Sequence, residues 1–308
     1  MEEAVRIGTR GSKLALWQAE HIQRCLQAKG LQTEIVIIDT KGDKILDQSL
    51  SEIGSKGLFT EELEEQLFSG KIDIAVHSAK DLQTHLKEGL YILAITEREQ
   101  VNDVLVSHLP QARINGDLVI GTSSTRRRAL LRKFYPKAKI VDMRGNLQTR
   151  IRKMEEGACD AMILAYAGMH RMEYDALIKE MLSLEEFTPA TGQGTLAIEA
   201  SSNLDPEKRS LIREALNHEE TETAVKAERA FLKTLEGGCS IRVFALSVKN
   251  GAGYILTGGV VSLDGQQYIK RQTSFLSSNA EAAGTTLAEE LLQAGAGAIL
   301  KEIRKSVK

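Results

Sequence analysis

The sequence predicts an α/β protein over its first two hundred residues, followed by a small α+β domain with an antiparallel sheet. Short apolar runs alternate with amphipathic helical patterns up to about residue 217, and three β-like runs then follow one another. Alternating strands and helices are typical of largely parallel sheets, whereas strands joined by tight turns indicate an antiparallel sheet. A length of 308 residues suits two or three domains.

The apolar runs of the first part are the predicted strands. They are VRI (5–7), EIVIID (34–39), IDIAVHS (72–78), YILAIT (91–96), DLVIGTS (117–123), KIVDM (139–143) and DAMILA (160–165). Helical spacing of apolar residues after the first run predicts a helix through Leu14, Trp17, Ile22 and Leu26. TEELEEQLFSG (60–70) predicts a second helix, because Thr60 can cap it, acids fill its first turns and glycine closes it.

The last part has a different pattern. A helix is predicted over ETETAVKAERAFLKTL (220–235), and it runs into EGGC. Three strands follow, separated by Asn250-Gly251 and Asp264-Gly265, which are strong hairpin signals. A final helix is predicted through Leu287, Leu291 and Leu292.

Composition limits the class of protein. With 42% hydrophobic and 27% charged residues, the chain is typical of a folded globular protein. We expect no signal peptide and no membrane span, because no apolar stretch is long enough. The three cysteines are far apart and form no CxxC pair, so the sequence indicates neither a disulfide framework nor a metal site. A cytoplasmic location is the expectation.

Positive charge is concentrated in one segment of a chain whose formal net charge is -2. Eleven Lys and Arg residues and one acid, Asp142, lie between Gly121 and Lys153, a local charge of +10. An RNA-binding surface is one interpretation, although only Phe134 and Tyr135 could stack on bases. A site for small polyanions fits the charge equally well.

Four segments place cationic or hydroxyl side chains directly after a predicted strand. Ligands of α/β sheets bind beyond the carboxyl ends of strands, where helix N-termini and arginine forks favour anions. We therefore expect anion-binding arginines in a cleft between two α/β lobes. The segments are IGTRGSK with Arg10 and Ser12, AVHSAKD with Ser78, Lys80 and Asp81, IGTSSTRRR with Ser123, Ser124, Arg126 and Arg127, and VDMRGNLQTR with Arg144 and Arg150.

Two residues have both a functional and an ordinary interpretation. Asp81 could balance a cation during a reaction, or it could form a common ion pair with Lys80 or a nearby arginine. Cys239, in LEGGCSIRV, could be an exposed thiolate that attaches a group covalently, or a small apolar residue in a tight loop. His77 is expected to be structural, because no nucleophile and orienting group accompany it.

Taken together, these motifs resemble the porphobilinogen deaminase (hydroxymethylbilane synthase) family almost from end to end. The matching stretches are TRGSKLALWQA, GDKILD, GSKGLFTEELEEQL, DIAVHSAKDL, GTSSTRR, RGNLQTR, DAMILAYAG, TGQGTLAIE and EGGC. The resemblance implies a transferase that joins four porphobilinogen molecules head to tail, releases ammonia at each step and hydrolyses the product to hydroxymethylbilane. It also implies a dipyrromethane cofactor attached to Cys239 by a thioether.

The resemblance further implies the roles of the site residues. Asp81 would be catalytic, protonating the leaving amine, stabilising an azafulvene-type cation and accepting a proton from the pyrrole α-carbon. Residues expected to hold the cofactor, besides Cys239, are Lys80, Ser123, Arg126, Arg127 and Arg144. Residues expected to hold the substrate are Arg10, Ser12, Arg150 and Arg171.

The family fold implies two lobes like type II periplasmic binding proteins and a third domain that carries the cofactor. Here the first lobe would be residues 1–96 with 197–216, the second lobe residues 100–193, and the third domain residues 218–308. The resemblance also implies a hinge at TGQGTLAIE and a monomeric protein. The alternative is a two-lobed protein that binds or senses small anions without catalysis. Departures from the family pattern occur at Glu52, Gln83 (usually proline), Thr125 and His170.

Overall fold

The computed structural model describes residues 4–40, 60–235 and 243–305. Its strands are β1 (Val5–Thr9), β2 (Thr33–Ile37), β3 (Ile74–Ser78), β4 (Leu90–Ile95), β5 (Asp103–Val106), β6 (Val119–Gly121), β7 (Lys139–Val141), β8 (Ala161–Ala165), β9 (Ile178–Met181), β10 (Leu196–Ser201), β11 (Val243–Asn250), β12 (Gly253–Val261) and β13 (Tyr268–Phe275). Its α-helices are α1 (Lys13–Gln27), α2 (Glu61–Phe68), α3 (Thr125–Phe134), α4 (Leu147–Glu155), α5 (Tyr166–Arg171), α6 (Pro206–Leu216), α7 (Glu219–Thr234), α8 (Ala280–Leu291) and α9 (Gly297–Lys305).

The chain divides into two compact units. Unit 1 comprises Met1–Arg98 and Thr195–Thr223, and unit 2 comprises Glu99–Gly194 and Ala224–Lys308. The sheet of unit 1 has the order β2-β1-β3-β10-β4. β1 is parallel to β2 and β3, whereas β10 is antiparallel to both of its neighbours.

Unit 2 contains a five-stranded sheet built on the same plan. Its order is β7-β6-β8-β5-β9, with β6 parallel to β7 and β8, and β5 antiparallel to β8 and β9. Its central strands are almost continuously apolar because helices cover both faces. In both sheets, three parallel strands are followed by one antiparallel strand and an edge strand, so the predicted α/β class is confirmed.

A second sheet in unit 2 is antiparallel and three-stranded, in the order β11-β12-β13. Its two turns are those predicted, with Gly251 and Gly265 in the left-handed region at φ 59° and 77°. Phe244 of β11 stacks on Tyr268 of β13 and joins the apolar core of the five-stranded sheet. The antiparallel part of the predicted fold class is therefore also confirmed.

The final helix differs from the prediction. α8 ends at Leu291, residues 292–296 form a π-helical turn, and α9 then continues to Lys305. Gly295 has φ 101°, a conformation that a right-handed helix does not contain, so the helix is interrupted there. Among the described residues, none of the helices is both long enough and apolar enough to cross a membrane.

Candidate active site

Four of the predicted site residues lie at one edge of the unit 1 sheet. Because β1 and β3 are parallel neighbours, their carboxyl ends meet at the same edge. β1 is followed by Arg10 and by Ser12, whose hydroxyl caps α1. β3 is followed by a single 3₁₀ turn, Ala79–Asp81, which contains Lys80 and ends in the exposed carboxylate of Asp81.

The residues that precede Asp81 are fixed to their surroundings. The amide of Gln18, a buried residue of α1, donates a hydrogen bond to Ser78 Oγ at 2.9 Å. The backbone N–H of Ala79 donates to the carbonyl of Thr195 at 3.0 Å. The turn that carries Asp81 is thus held to α1 on one side and to the start of β10 on the other.

The helix that was predicted to begin at Thr60 does begin there, but its cap is different. α2 starts at Glu61, and the Thr60 side chain makes no capping hydrogen bond. Thr60 Oγ1 instead accepts a hydrogen bond from the Gln83 amide at 2.9 Å. The hydroxyl that was expected to stabilise the helix therefore stabilises the loop after Asp81.

His77 lies on β3, next to the Asp81 turn. Its Nε2 is 3.0 Å from Oε2 of Glu199, and both side chains are buried between β3 and β10. The pair joins two neighbouring strands inside the sheet, in keeping with the structural role that the sequence predicted for His77.

The remaining described site residues lie at one edge of the five-stranded sheet of unit 2. β6, β7 and β8 are parallel, so the segments that follow them share that edge. Ser123 donates a short hydrogen bond to the carbonyl of Met143, which joins the segments after β6 and β7. The residues brought to this edge are Ser123, Arg126, Arg127, Arg144, Arg150 and Arg171.

Arg126 and Arg127 are buried, and both bind the same carboxylate. Asp103 Oδ2 accepts from Arg126 Nη2 at 2.7 Å, and Asp103 Oδ1 accepts from Arg127 Nη2 at 2.7 Å. The two guanidinium groups also donate to the carbonyls of Thr188 and Ile163, at 2.9 and 3.0 Å. Asp103 was not predicted as a site residue, and it fixes the position of both arginines.

The charges of this cluster do not cancel. Burial acts to raise the pKa of Asp103, but Arg126 and Arg127 outweigh it, so the pKa lies well below its usual range and the carboxylate is ionised. Gln193 adds a third hydrogen bond to Asp103, at 2.9 Å. One carboxylate faces two buried guanidinium groups, and Arg127 Nε has no hydrogen-bond partner within the described residues. A carboxylate ligand would supply the missing acceptor and the missing charge.

The other arginines at this edge are held differently. Arg144 Nε donates to Asp142 at 2.5 Å, and Arg150 Nε donates to the Gly145 carbonyl at 2.7 Å. Arg171 Nη2 donates to the Gly194 carbonyl at 3.0 Å, and burial lowers the pKa of Arg171 while Glu99 opposes that change.

The segment of local charge +10 is partly neutralised in the folded chain. Asp142 pairs with Arg144 and lies 3.8 Å from Arg128, while Asp103, which is distant in sequence, pairs with two further arginines.

Among the departures from the family pattern, His170 pairs with Asp175 at 2.9 Å and Thr125 is the first residue of α3. Cys239 and Glu52 lie outside the described residues.

The described residues define an α/β protein with arginines at one sheet edge of each unit and the exposed acid Asp81 after β3. Residues 5–208 match the family described as "Porphobilinogen deaminase, dipyromethane cofactor binding domain", and residues 222–293 match "Porphobilinogen deaminase, C-terminal domain". The chain belongs to the porphobilinogen deaminase family. It is a transferase of tetrapyrrole biosynthesis with a domain for a dipyrromethane cofactor.

Similar proteins cover the whole length of the chain. A porphobilinogen deaminase of Cytophaga hutchinsonii is 73% identical over 309 residues, covering 100% of this chain and 99% of its own. One from Desulfosudis oleivorans is 51% identical over 304 residues, covering 98% of each chain. Among solved structures, the periplasmic VFT2 domain of Bordetella pertussis BvgS is 20% identical with a TM-score of 0.42, covering 69% of this chain and 86% of its own.

The residues present fit a dipyrromethane group. Its acetate and propionate arms are carboxylates, and the Asp103 cluster offers an unpartnered buried donor and an excess of positive charge. Arg144, which is only partly buried, lies on the neighbouring segment of the same sheet edge.

Proposed function

We propose that Asp81 is the catalytic residue with which this transferase joins porphobilinogen molecules head to tail and releases hydroxymethylbilane. The observation that carries the proposal is the position of its carboxylate. Asp81 is exposed at the end of a short turn whose preceding residues are fixed by Gln18 and Thr195, at the same sheet edge as Arg10 and Ser12. A carboxylate held in this way can meet a substrate without losing its orientation.

In this proposal Asp81 carries protons in both directions. Its carboxyl group gives a proton to the leaving amine of porphobilinogen, which departs as ammonia. The resulting carboxylate stabilises the cation left on the substrate pyrrole, and it then takes up the proton lost from the pyrrole α-carbon where the new C–C bond forms. Proton balance is restored after each addition, so one residue serves every step.

We propose that the cofactor is attached through the sulfur of Cys239. When bound, the dipyrromethane supplies the pyrrole α-carbon to which the first substrate unit is joined. Arg126 and Arg127, held by Asp103, bind its carboxylates from the unit 2 edge. The other residues proposed to hold the cofactor are Lys80, Ser123 and Arg144, and those proposed to hold the substrate are Arg10, Ser12, Arg150 and Arg171.

The division of the chain into domains also remains a proposal. The first lobe would comprise residues 1–96 with 197–216, and the second lobe residues 100–193. The domain that carries the cofactor would comprise residues 218–308.

We further propose that the protein is a monomer in the cytoplasm. The thiols of Cys25 and Cys159 are free, which is usual in a reducing compartment. Light scattering of the purified protein would measure its mass in solution and so test the monomer.

The covalent attachment is tested by intact-mass spectrometry of the purified protein. We expect the mass of the polypeptide plus one dipyrromethane, and we expect the additional mass to be lost in Cys239→Ser. Cys159→Ser, which changes a buried free thiol, is the matched control and should keep the additional mass. Retention of that mass by Cys239→Ser would overturn the attachment site.

A further inference from the structure

The loop that follows Asp81 contacts α2 and its cap residue through two side chains, Gln83 and Lys87. The Gln83 amide donates from the same nitrogen to Thr60 Oγ1 at 2.9 Å and to Glu64 Oε1 at 3.3 Å. Leu82, between Asp81 and Gln83, is buried and extended, with φ -74° and ψ 138°. We propose that Gln83 is a positioning residue for Asp81, an inference that rests on the catalytic role proposed for that carboxylate.

The turn itself cannot fix Asp81. It is three residues long, and the hydrogen bond that closes it, from Leu82 N to the Ala79 carbonyl, is 3.4 Å. A 3₁₀ turn with one long hydrogen bond keeps its shape only when its ends are held. The end before Asp81 is held by the bonds from Gln18 and to Thr195. Gln83 holds the end after it.

The anchor on α2 is a buried carboxylate. The Glu64 side chain is 1% exposed, and Lys87 Nζ lies 2.8 Å from its Oε2. A carboxyl group at this depth needs polar partners, and the loop brings two polar side chains to it, at positions 83 and 87. Glu64 likewise raises the pKa of Lys87 through their hydrogen bond. The hydrogen bond from Gln83 and the ion pair with Lys87 therefore hold the loop against α2.

The geometry makes Asp81 sensitive to this bond. Only Leu82 separates the carboxylate residue from the tethered one, so a shift of Gln83 is passed along a single extended residue. Because proton transfer requires reacting atoms within hydrogen-bond reach, displacements near 1 Å can cost on the order of a hundredfold in rate. Loss of the Gln83 amide should reduce turnover without removing any group that binds substrate.

The test uses Gln83→Leu in the holoenzyme, because leucine has a similar size but cannot donate. We expect kcat to fall about fivefold to thirtyfold, with the KM for porphobilinogen within about twofold of wild type. Backbone amides of residues 79–84 should exchange hydrogen faster, and the melting temperature should fall by about 2–6 °C because the buried Glu64 carboxyl group loses a donor. His85→Ala, an exposed change in the same loop, is the control and should keep wild-type kinetics.

A swapped pair separates positioning from a loss of folding. Gln83→Glu sets two carboxylates against each other and should be slower than Gln83→Leu. Gln83→Glu with Glu64→Gln restores one amide, one carboxylate and a partner for Lys87, and should recover kcat to within about threefold of wild type. If Gln83→Leu has wild-type kcat, or if the swapped pair is no faster than Gln83→Glu, the proposal is wrong.

The same experiments distinguish this inference from the proposed function. In Asp81→Glu the longer side chain already misplaces the carboxylate. Adding Gln83→Leu to this variant should therefore lower kcat by a smaller factor than it does in wild type. An equal cost in both backgrounds would contradict positioning while leaving Asp81 catalytic. Full activity of Asp81→Asn would instead remove the catalytic role itself.

Discussion

Asp103 Oδ1 accepts a hydrogen bond from Arg127 Nη2 at 2.7 Å, and the two side chains are only 0% and 8% exposed. The same carboxylate binds Arg126, so one buried acid positions two adjacent arginines of α3. Two of the three arginines proposed to hold the cofactor are therefore positioned before any ligand binds, which reduces the entropy cost of ligand binding.

Replacing Asp103 should destabilise the fold strongly. Asp103→Asn leaves two buried guanidinium groups facing a neutral amide, and we expect the free energy of unfolding in urea to fall by about 3–5 kcal/mol. Asp142→Asn is the matched control, because Asp142 also faces two arginines but is partly exposed. It should cost less than about 1 kcal/mol. Equal losses for the two variants would show that burial of the Asp103 cluster is not decisive.

Removing the Asp81 carboxylate should stop turnover without releasing the cofactor. We expect Asp81→Ala to lower kcat by about 10²- to 10⁴-fold, because both proton transfers lose their carrier. Intact mass should still show the polypeptide plus one dipyrromethane. Near-normal turnover in Asp81→Ala would exclude the assigned role.

Asp73 should make unit 1 less stable in acid. Burial acts to raise the pKa of Asp73, but hydrogen bonds from the Arg6 side chain and backbone N–H outweigh it, so the pKa is lowered. A lowered pKa in the folded state stabilises the protein above the unfolded value, near 3.9, and that stability is lost as the pH falls through the folded value.

The comparison is between wild type and Asp73→Asn in urea at several pH values. We expect a clear difference in the free energy of unfolding at pH 6 that shrinks steadily below about pH 4. A difference that stays constant down to pH 2 would mean that the Asp73 pKa is not lowered by folding.

Glu228 should be needed for the stability of unit 2. Its buried carboxylate accepts from the backbone N–H of Gly192 and of Ser247, each at 2.8 Å, and so ties α7 to the segment before β10 and to β11. Glu228→Ala leaves both donors without this acceptor and should cost about 2–5 kcal/mol in urea unfolding. Glu219→Ala, an exposed change at the start of α7, is the control and should have little effect.

The sequence predicts those parts of the structure that depend on local pattern. The apolar runs that became β3, β4 and β8, and the two glycine turns of the antiparallel sheet, were found because their signals lie within a few residues. β5, β9 and β10 were missed, and β9 (IKEM) has no apolar run because two of its four residues are charged.

The partners of the site residues could not be found in the same way. Asp103 is 23 residues from Arg126 in sequence, and Gln83 is 23 from Thr60, and only the folded chain brings each pair together. Thr60 shows the difficulty well, because its local context favours a helix cap while a distant amide takes its hydroxyl. The one signal for Asp103 was its place at the head of the apolar run DVLV.

Because the two five-stranded sheets share one strand order, Asp81 and Arg171 both follow the corresponding strand of their own sheet. Asp81 follows β3 and Arg171 follows β8, and each of these strands is the third in its own sheet. The same strand order thus carries an anionic side chain after β3 and a cationic side chain after β8. Exchanging the segment after β3 with the segment after β8 would show whether the chemistry at each sheet edge depends on the strand order or only on the residues in those segments.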